Sequence, residues 1–476
     1  MDDRELERIN GQVTSQIIKD LIAEHTPTRQ RMISLYERYK ASIEGVPIFS
    51  RKVPDYEKVN NKLNNDFFSE IVDTKVGYFM GKPIVYSVDR EAPEYEVANQ
   101  TLQDFNIRNN IEDLDSETAK MAAICGLGAR LLYIDREGSE RVMNVDPWEC
   151  IFVYDRSINE PQYALRYYTM KVQEGDRFHD RTRVEWYDQE NVTFFIEDGK
   201  GMYILDETEP KNPLPHMFDG IPLLAFPNNE EQQGDVEKAL SLIDAYDRTL
   251  SDVNSEIEAF RLAYMVFYGF EPDKETIEQA KQTGAFGINN PEDGAKIEFL
   301  TKQMSDTIIE NHLNRLEQNI LRFAKSVNFG DEQFAGNLSG VSMRFKLFAL
   351  ESKCITAERK FTAALRQQFK LLASAWQKKG IPIDYKNIWF QFKRNFPLNL
   401  LDEAQTSATL KGLVSERTRL SLLSFIDDVE AEIMEMERDA LDLDMEGGLE
   451  DEIPGESAED GEADGSDSGQ DGEDAA

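Results

Sequence analysis

The chain has 476 residues, enough for more than one hydrophobic core, and carries 90 acidic against 53 basic side chains for a formal net charge of −37. A sequence-independent nucleic-acid binder takes its affinity from Lys and Arg neutralising phosphates, so a chain this acidic is not a high-affinity DNA-coating protein. The acidity serves either ordinary solubility or a surface that must not adhere to a polyanion it meets. Three cysteines, Cys125, Cys150 and Cys354, are widely spaced and odd in number. That fits neither a disulfide framework nor a metal site, and suggests a reducing compartment. The charged start MDDRELERIN does not read as a signal peptide, and the apolar run from Leu262 to Phe270 is too short to span a bilayer. A soluble intracellular protein without membrane contact is expected.

The first forty-five residues read as two helices. Leu6, Ile9, Val13, Ile17 and Leu21 form the stripe of the first, and Thr26-Pro27 supplies a cap and first turn for the second, which Gly45 ends. A third helix is expected over 60–80. From about 81 to 226 short aromatic or β-branched runs dominate: KPIVYSV, ARLLYID, CIFVYD, QYALRYYT, RVEWYD and NVTFFIE, with a helical interlude at about 94–125. This predicts a mixed α+β domain built from antiparallel hairpins rather than βαβ units.

After Pro227 the pattern changes. Asp235 is placed to cap a helix whose seam is Ile243, Tyr246, Leu250, Val253, Ile257, Phe260 and Tyr264, alternating three and four apart. Asp244, Asp247, Arg248, Asp252, Glu256 and Glu258 are its expected exposed charges. A two-stranded coiled coil is one outcome, and a helix packed beside copies of itself in a ring is another. Residues 265–303 form a Gly- and Pro-bearing insertion, and a second helix is expected from about Ser305 to Val327. The Gly-, Asn- and Ser-rich loop NFGDEQFAGNLSGV (328–341) then runs into a helix with no breaker until Gly380, about 57 Å long at ~1.5 Å per residue. Its seam, Leu347, Leu350, Cys354, Ala357, Phe361 and Leu365, marks one buried face. NIWFQFK (387–393) is strand-like, and 401–444 is helical with Leu420, Leu423, Ile426, Ile433, Met436 and Ala440 on one side. From Glu446 to Ala476 there is no Lys, Arg or aromatic residue, and a solvated, disordered acidic tail is expected.

Little here argues for catalysis. GYFMGKP (77–83) has three residues between its glycines where a phosphate loop has four, and Pro83 where that loop needs Ser or Thr. Asp442, Asp444 and Glu446 begin like a calcium loop, but Ile453 stands where a bidentate Glu is required. His25, His179, His216 and His312 lack metal-ligand spacing, and there is no G-x-S-x-G elbow. No enzyme, metal or cofactor is expected.

Taken in order, NNDFFSEIVDTKVGYFMGKPIVYSV (64–88), VDPWECIFVYD (145–155), DVEKALSLIDAYDRTLSDVNSEIEAF (235–260) and GNLSGVSMRFKLFALESK (336–353) give the chain its likeness. It resembles the portal proteins of tailed double-stranded DNA bacteriophages, of the siphophage type common in phages of Gram-positive bacteria, from about Ile17 to Leu443. The resemblance implies a portal fold: a mixed α/β wing (1–234), stem helix one (235–264), a clip (265–303), stem helix two (304–327), a tunnel loop (328–341), a long channel-supporting helix (342–380), a further wing strand (381–395), a helical crown (396–445) and the acidic tail (446–476). It implies a cyclic homo-oligomer, usually of about twelve subunits, at one capsid vertex of the virion, assembled in the bacterial cytoplasm. Its implied partners are the terminase large subunit, a head–tail adaptor, and capsid and scaffolding proteins. Duplex DNA would be packaged and later ejected through the ring without tight binding.

The channel residues it implies are Asn328, Asp331, Gln333, Asn337, Leu338, Ser339, Gly340 and Val341. Asn337, Ser339 and backbone amides would make weak, exchangeable phosphate contacts. Arg322 and Lys325 either add a positive ring before the loop or satisfy the C-terminus of their helix. Ser342 departs from the Ala expected in the family pattern. The competing reading is a coiled-coil scaffold or interaction protein; a nucleotide-driven motor subunit would need the phosphate loop that 77–83 does not form.

Overall fold

The computed structural model describes residues 13–54, 59–93, 95–154, 160–174, 176–260, 264–268, 271–275, 277–278, 296–300, 306–328, 340–395, 400–423, 425–426 and 429–447. It divides into two compact units, Met1–Pro397 and Leu398–Ala476.

In the first unit, α1 (Ser15–Tyr39) starts where the Thr14 hydroxyl accepts from the Ile17 amide. It is one helix and not the expected two, because Pro27 lies inside it. Proline removes a backbone hydrogen bond, yet both halves of α1 are held by packing. Ile18 and Leu21 pack with sheet residues Leu165, Val184 and Trp186, while Met32 and Leu35 pack with Phe68, Ile71 and Val72. Thr26 does not cap a new helix; its hydroxyl donates to the Ile22 carbonyl at 2.8 Å. Asp66 caps α2 (Phe67–Phe79), accepting from the Ser69 amide. The phosphate-loop look-alike is the exit of this helix: a Cβ on Gly81 would lie 2.1 Å from the Gly77 carbonyl oxygen, so only glycine fits.

The chain continues through β1 (Val85–Val88), α3 (Tyr95–Asn109) and α4 (Ile111–Cys125), so the helical interlude is two helices, parted at Asn110, whose φ is 52°. Then follow β2 (Leu127–Ile134), β3 (Glu140–Val145), β4 (Cys150–Tyr154), β5 (Pro161–Glu174), β6 (Arg177–Tyr187), β7 (Asn191–Glu197), β8 (Tyr203–Leu205), β9 (Leu214–Pro215) and β10 (Leu223–Pro227). They form a six-stranded sheet in the order β4-β5-β6-β7-β8, with β9 also on β7, and a three-stranded sheet in the order β10-β2-β3. Every pairing in these two sheets is antiparallel; consecutive strands meet as hairpins in β2-β3 and from β4 to β8, while β10 returns to β2 and β9 to β7 from further along the chain, and the class is α+β.

A short 3-10 turn, Glu237–Ala239, leads into α5 (Leu240–Phe260). β11 (Tyr264–Tyr268) and β12 (Lys296–Leu300) pair antiparallel, so Tyr264 belongs to a strand and not to the helical seam. α6 (Asp306–Ala324) packs along α5, and α7 (Gly340–Lys378) follows. The α7 seam from Leu347 to Leu365 is buried and continues through Phe369, Leu372 and Trp376 into the largest core cluster. β13 (Ile388–Gln391) closes the unit by pairing with β1.

Arg130, fully buried on β2, ties this core together. Its guanidinium pairs with Asp115 of α4 at 2.6 Å, donates to Thr118 at 2.8 Å and to Gln368 of α7 at 3.2 Å, and lies 4.6 Å over the Phe226 ring. A buried ion pair adds little net stability, but it fixes one relative placement of α4, β2 and α7.

The second unit holds α8 (Leu400–Leu410), α9 (Glu416–Leu420) and α10 (Val429–Gly447). Leu420, Leu423 and Ile426 are buried against Val429 and Ile433, but Met436 is 42 % exposed, so the expected seam ends within α10. The acidic tail from residue 448 onward lies outside the described residues.

Candidate functional site

The charged side of α5 is not a free surface. Arg38 of α1 pairs with Asp244, Arg51 pairs with Asp252, and the Asn61 side chain donates to Glu258. Between these, an extended segment runs along the helix. The amides of Asn61, Leu63 and Asn65 donate to Ser255, Ser251 and Asp247 at 2.9, 2.9 and 2.8 Å. Two residues of extended chain advance about 6.6 Å and four residues of helix about 6 Å, so alternate amides meet side chains one helical turn apart. Asp247, expected to be exposed, is 2 % exposed because it satisfies this segment.

Asp235 does not cap α5 either, since the helix-leading turn has no side-chain cap. Its carboxylate instead lies in a buried node with Lys75 of α2 at 2.7 Å and Lys353 of α7 at 3.1 Å. Asn228 accepts from Lys75 at 2.6 Å and donates to Asp235 at 3.0 Å. Burial alone would push the Asp235 carboxyl up, but the two ammonium groups hold it below its ordinary value. Burial pulls Lys353 below its ordinary value against the attraction of Asp235. Two cations thus face one anion, and Lys353 offsets the excess by donating at 2.7 Å to the carbonyl of Ala324, the last residue of α6. Helix C-terminal carbonyls carry partial negative charge, so this is a favourable place for an ammonium.

The node joins the end of α6 to α7, the two helices that bracket residues 328–341 in the chain. α6 ends in a Schellman motif: the Ser326 amide donates to the Leu321 carbonyl at 2.9 Å and the Lys325 amide to the Arg322 carbonyl at 3.3 Å. Lys325 occupies the left-handed position of that motif with φ 54°. Val327 before the segment and Met343 after it pack against the same core cluster. On the far side of α7, Arg394 binds Glu351 at 3.0 Å and Glu358 at 2.6 Å, and Tyr78 donates to Glu351 at 2.8 Å. Both feet of the segment are therefore fixed to a rigid base.

Of the expected channel residues, Asn328 is half-buried at the first foot, Gly340 is the first residue of α7, and Val341 lies in that helix. Asp331, Gln333, Asn337, Leu338 and Ser339 lie outside the described residues. Arg322 and Lys325 are exposed, as is Arg344 in the first turns of α7. None of the three pairs with a described carboxylate. Lys325 contributes to the helix end through its backbone, while Lys353 supplies the side-chain cap.

Sequence reasoning missed Lys75 and Lys353, although each sits among apolar seam positions at three- and four-residue spacing, Lys75 between Val72 and Phe79 and Lys353 between Leu350 and Ala357. A lysine in such a seam calls for a buried counter-charge. Among the described residues no cluster of His, Cys, Asp and Glu is suited to a metal ion, and no helix is long and apolar enough to cross a membrane.

A family model described as phage portal protein, SPP1 Gp6-like, matches residues 18–442. The portal protein of Bacillus phage SPP1 is 25% identical over 462 residues, covering 92% of this chain and 89% of that protein. The portal protein of Clostridium phage phiCD119 is 24% identical over 435 residues, covering 87% of this chain and 93% of that protein.

Proposed function

The chain belongs to the SPP1 Gp6-like family of phage portal proteins, and from that membership we propose that about twelve copies close into a ring at one capsid vertex. Duplex DNA is packaged inward through the ring by a terminase and later leaves through it, and a head–tail adaptor attaches to its outer end. The match over residues 18–442 carries this reading, because it takes in the sheets, α5 to α7 and most of the second unit together.

Within the ring, α5 and α6 act as the stem, residues 265–303 as the clip that meets terminase and adaptor, and 328–341 as the loop at the narrowest part of the channel. The node of Asp235, Lys75 and Lys353 supports this assignment by fixing the loop's base to three helices. The chemistry suits passage rather than capture. Each phosphate neutralised adds affinity that translocation must break, so a few cations at Arg322, Lys325 and Arg344 in a chain of net charge −37 guide DNA without retaining it. The second unit forms the crown. The portal itself hydrolyses nothing; the terminase supplies the ATP-driven step.

Native mass measurement with negative-stain imaging tests the reading. A particle of about twelve times 54.6 kDa with a central hole is expected. A dimer without a hole, persisting when capsid and scaffolding proteins are added, would overturn it in favour of a coiled-coil scaffold. Rings with a shortened 337–341 segment should assemble but package poorly, and full packaging by them would remove the channel role of the loop.

A further inference from the structure

α7 carries two seams. The first, Leu347, Leu350, Cys354, Ala357 and Phe361, alternates three and four residues apart and is buried in its own chain. The second, Phe345, Phe348, Ser352, Ile355 and Arg359, repeats the same spacing two residues earlier. At about 100° per residue a two-residue offset is about 200°, so the second seam lies on the opposite side of the helix. It is open: Phe345 is 78 %, Phe348 71 % and Ile355 38 % exposed. Single exposed apolar residues are ordinary, but two phenylalanines and an isoleucine in helix-packing register form a surface suited to another helix.

We propose that this second seam seats the adjacent copy of the chain, packing the first half of one α7 against its neighbour in the ring. The inference rests on the ring reading above. Three features point to a second copy and not to another partner. The stripe begins within two turns of Gly340, where the loop assigned to the channel ends, so it lies at the small-radius end of α7. Copies around an axis are closest there: twelve helices touching at the usual 8–10 Å spacing occupy a circle of roughly 15–19 Å radius. A closed ring also requires each copy to offer a surface that a different surface of its neighbour covers, and the open apolar face of α7 supplies one of those two surfaces. Finally, the seam turns basic away from the axis, at exposed Arg359 and Arg366, which pair with no described carboxylate of their own chain. In an assembly of subunits each carrying −37, cations free to meet a neighbour's acidic surface are what an interface requires.

The test uses the full chain. The double substitution Phe345→Glu and Phe348→Glu should leave the subunit folded, with unchanged circular dichroism and melting, because neither side chain is in its core. Ring population by native mass should fall at least tenfold, while Phe178→Glu on the six-stranded sheet, 68 % exposed, should leave it unchanged. In parallel, a thiol introduced by Phe348→Cys should react with maleimide at least tenfold more slowly in the ring than in subunits separated from it by dilution. Cys125, Cys150 and Cys354 are buried and do not compete. A wild-type chain that makes no ring removes the ring reading itself. Rings that form normally with both glutamates, or a thiol equally reactive in ring and subunit, leave that reading standing and overturn this one. A thiol protected only when DNA or adaptor is added assigns the seam to that partner and also overturns it.

Discussion

The Lys353 ammonium donates to the backbone carbonyl of Ala324 at 2.7 Å, so a side chain from α7 closes the end of α6 across the base of the 328–341 segment. The same ammonium lies 3.1 Å from Asp235, whose carboxylate also holds Lys75. One atom thus joins α6 and α7 to Asp235, just ahead of the turn that leads into α5. Anything that moves α6 against α7 must break this contact, and so the spacing between the end of α6 and α7 is held by the core.

Unequal costs are expected for removing the members of this node. Asp235→Asn strands two buried ammonium groups and should destabilise the subunit by roughly 3–5 kcal/mol, as for other broken buried pairs. Lys353→Met leaves Asp235 with Lys75 and frees one carbonyl, and should cost about 1–3 kcal/mol. Urea unfolding of the isolated subunit at neutral pH measures both. Because the folded pKa of Asp235 lies below its ordinary 3.8, its contribution is present above that value and lost as pH falls below it. A smaller loss for Asp235→Asn than for Lys353→Met would show that the carboxylate is not the centre of the node.

Lys325 separates a backbone role from a charge role. With φ 54° it occupies the left-handed position that ends α6, where a side chain is strained and glycine is not. Lys325→Gly should raise the stability of the subunit by about 0.5–1 kcal/mol. If the positive foot of the loop matters to passage, the same variant should package DNA more slowly despite being more stable. Lys325→Asn, which tolerates the same backbone, should then show the same slowing. A stabilised glycine variant that packages at the wild-type rate would confine Lys325 to helix termination.

Much of the architecture was legible from local pattern. The three-four seam of α7 and the alternating aromatic strands are dictated by neighbours within a few residues, and Leu347 to Leu365 are buried as that spacing requires. What escaped was set by contacts distant in sequence. Pro27 reads as a boundary, yet α1 continues because Ile18 and Met32 are held by two different clusters. Asp235 and Asp247 read as a cap and a surface charge, yet their partners Lys353 and Asn65 lie more than a hundred residues away. No periodicity encodes such pairings. The channel role of Asn337 and Ser339 came from family likeness alone, and both lie outside the described residues.

His25 supplies a pH dependence in a higher window than that of the Asp235 node. Its Nδ1 lies 2.9 Å from the Tyr167 hydroxyl, with the Arg29 guanidinium 4.8 Å from the same ring. Burial, reinforced by that cation, lowers its pKa from 6.5 to about 4. Between these values the unfolded chain holds a proton that the folded chain does not, so stability rises with pH across this window and is lost as pH falls from 6.5 to about 4. The group is partly open to solvent, which limits the effect to about 2 kcal/mol. His25→Gln keeps a hydrogen-bonding side chain without the titration. It should flatten the decline in urea midpoint over that window while matching the wild type near neutral pH. An undiminished decline would place the acid sensitivity elsewhere, among the carboxyls that burial holds above their ordinary values, such as Asp146 and Glu149.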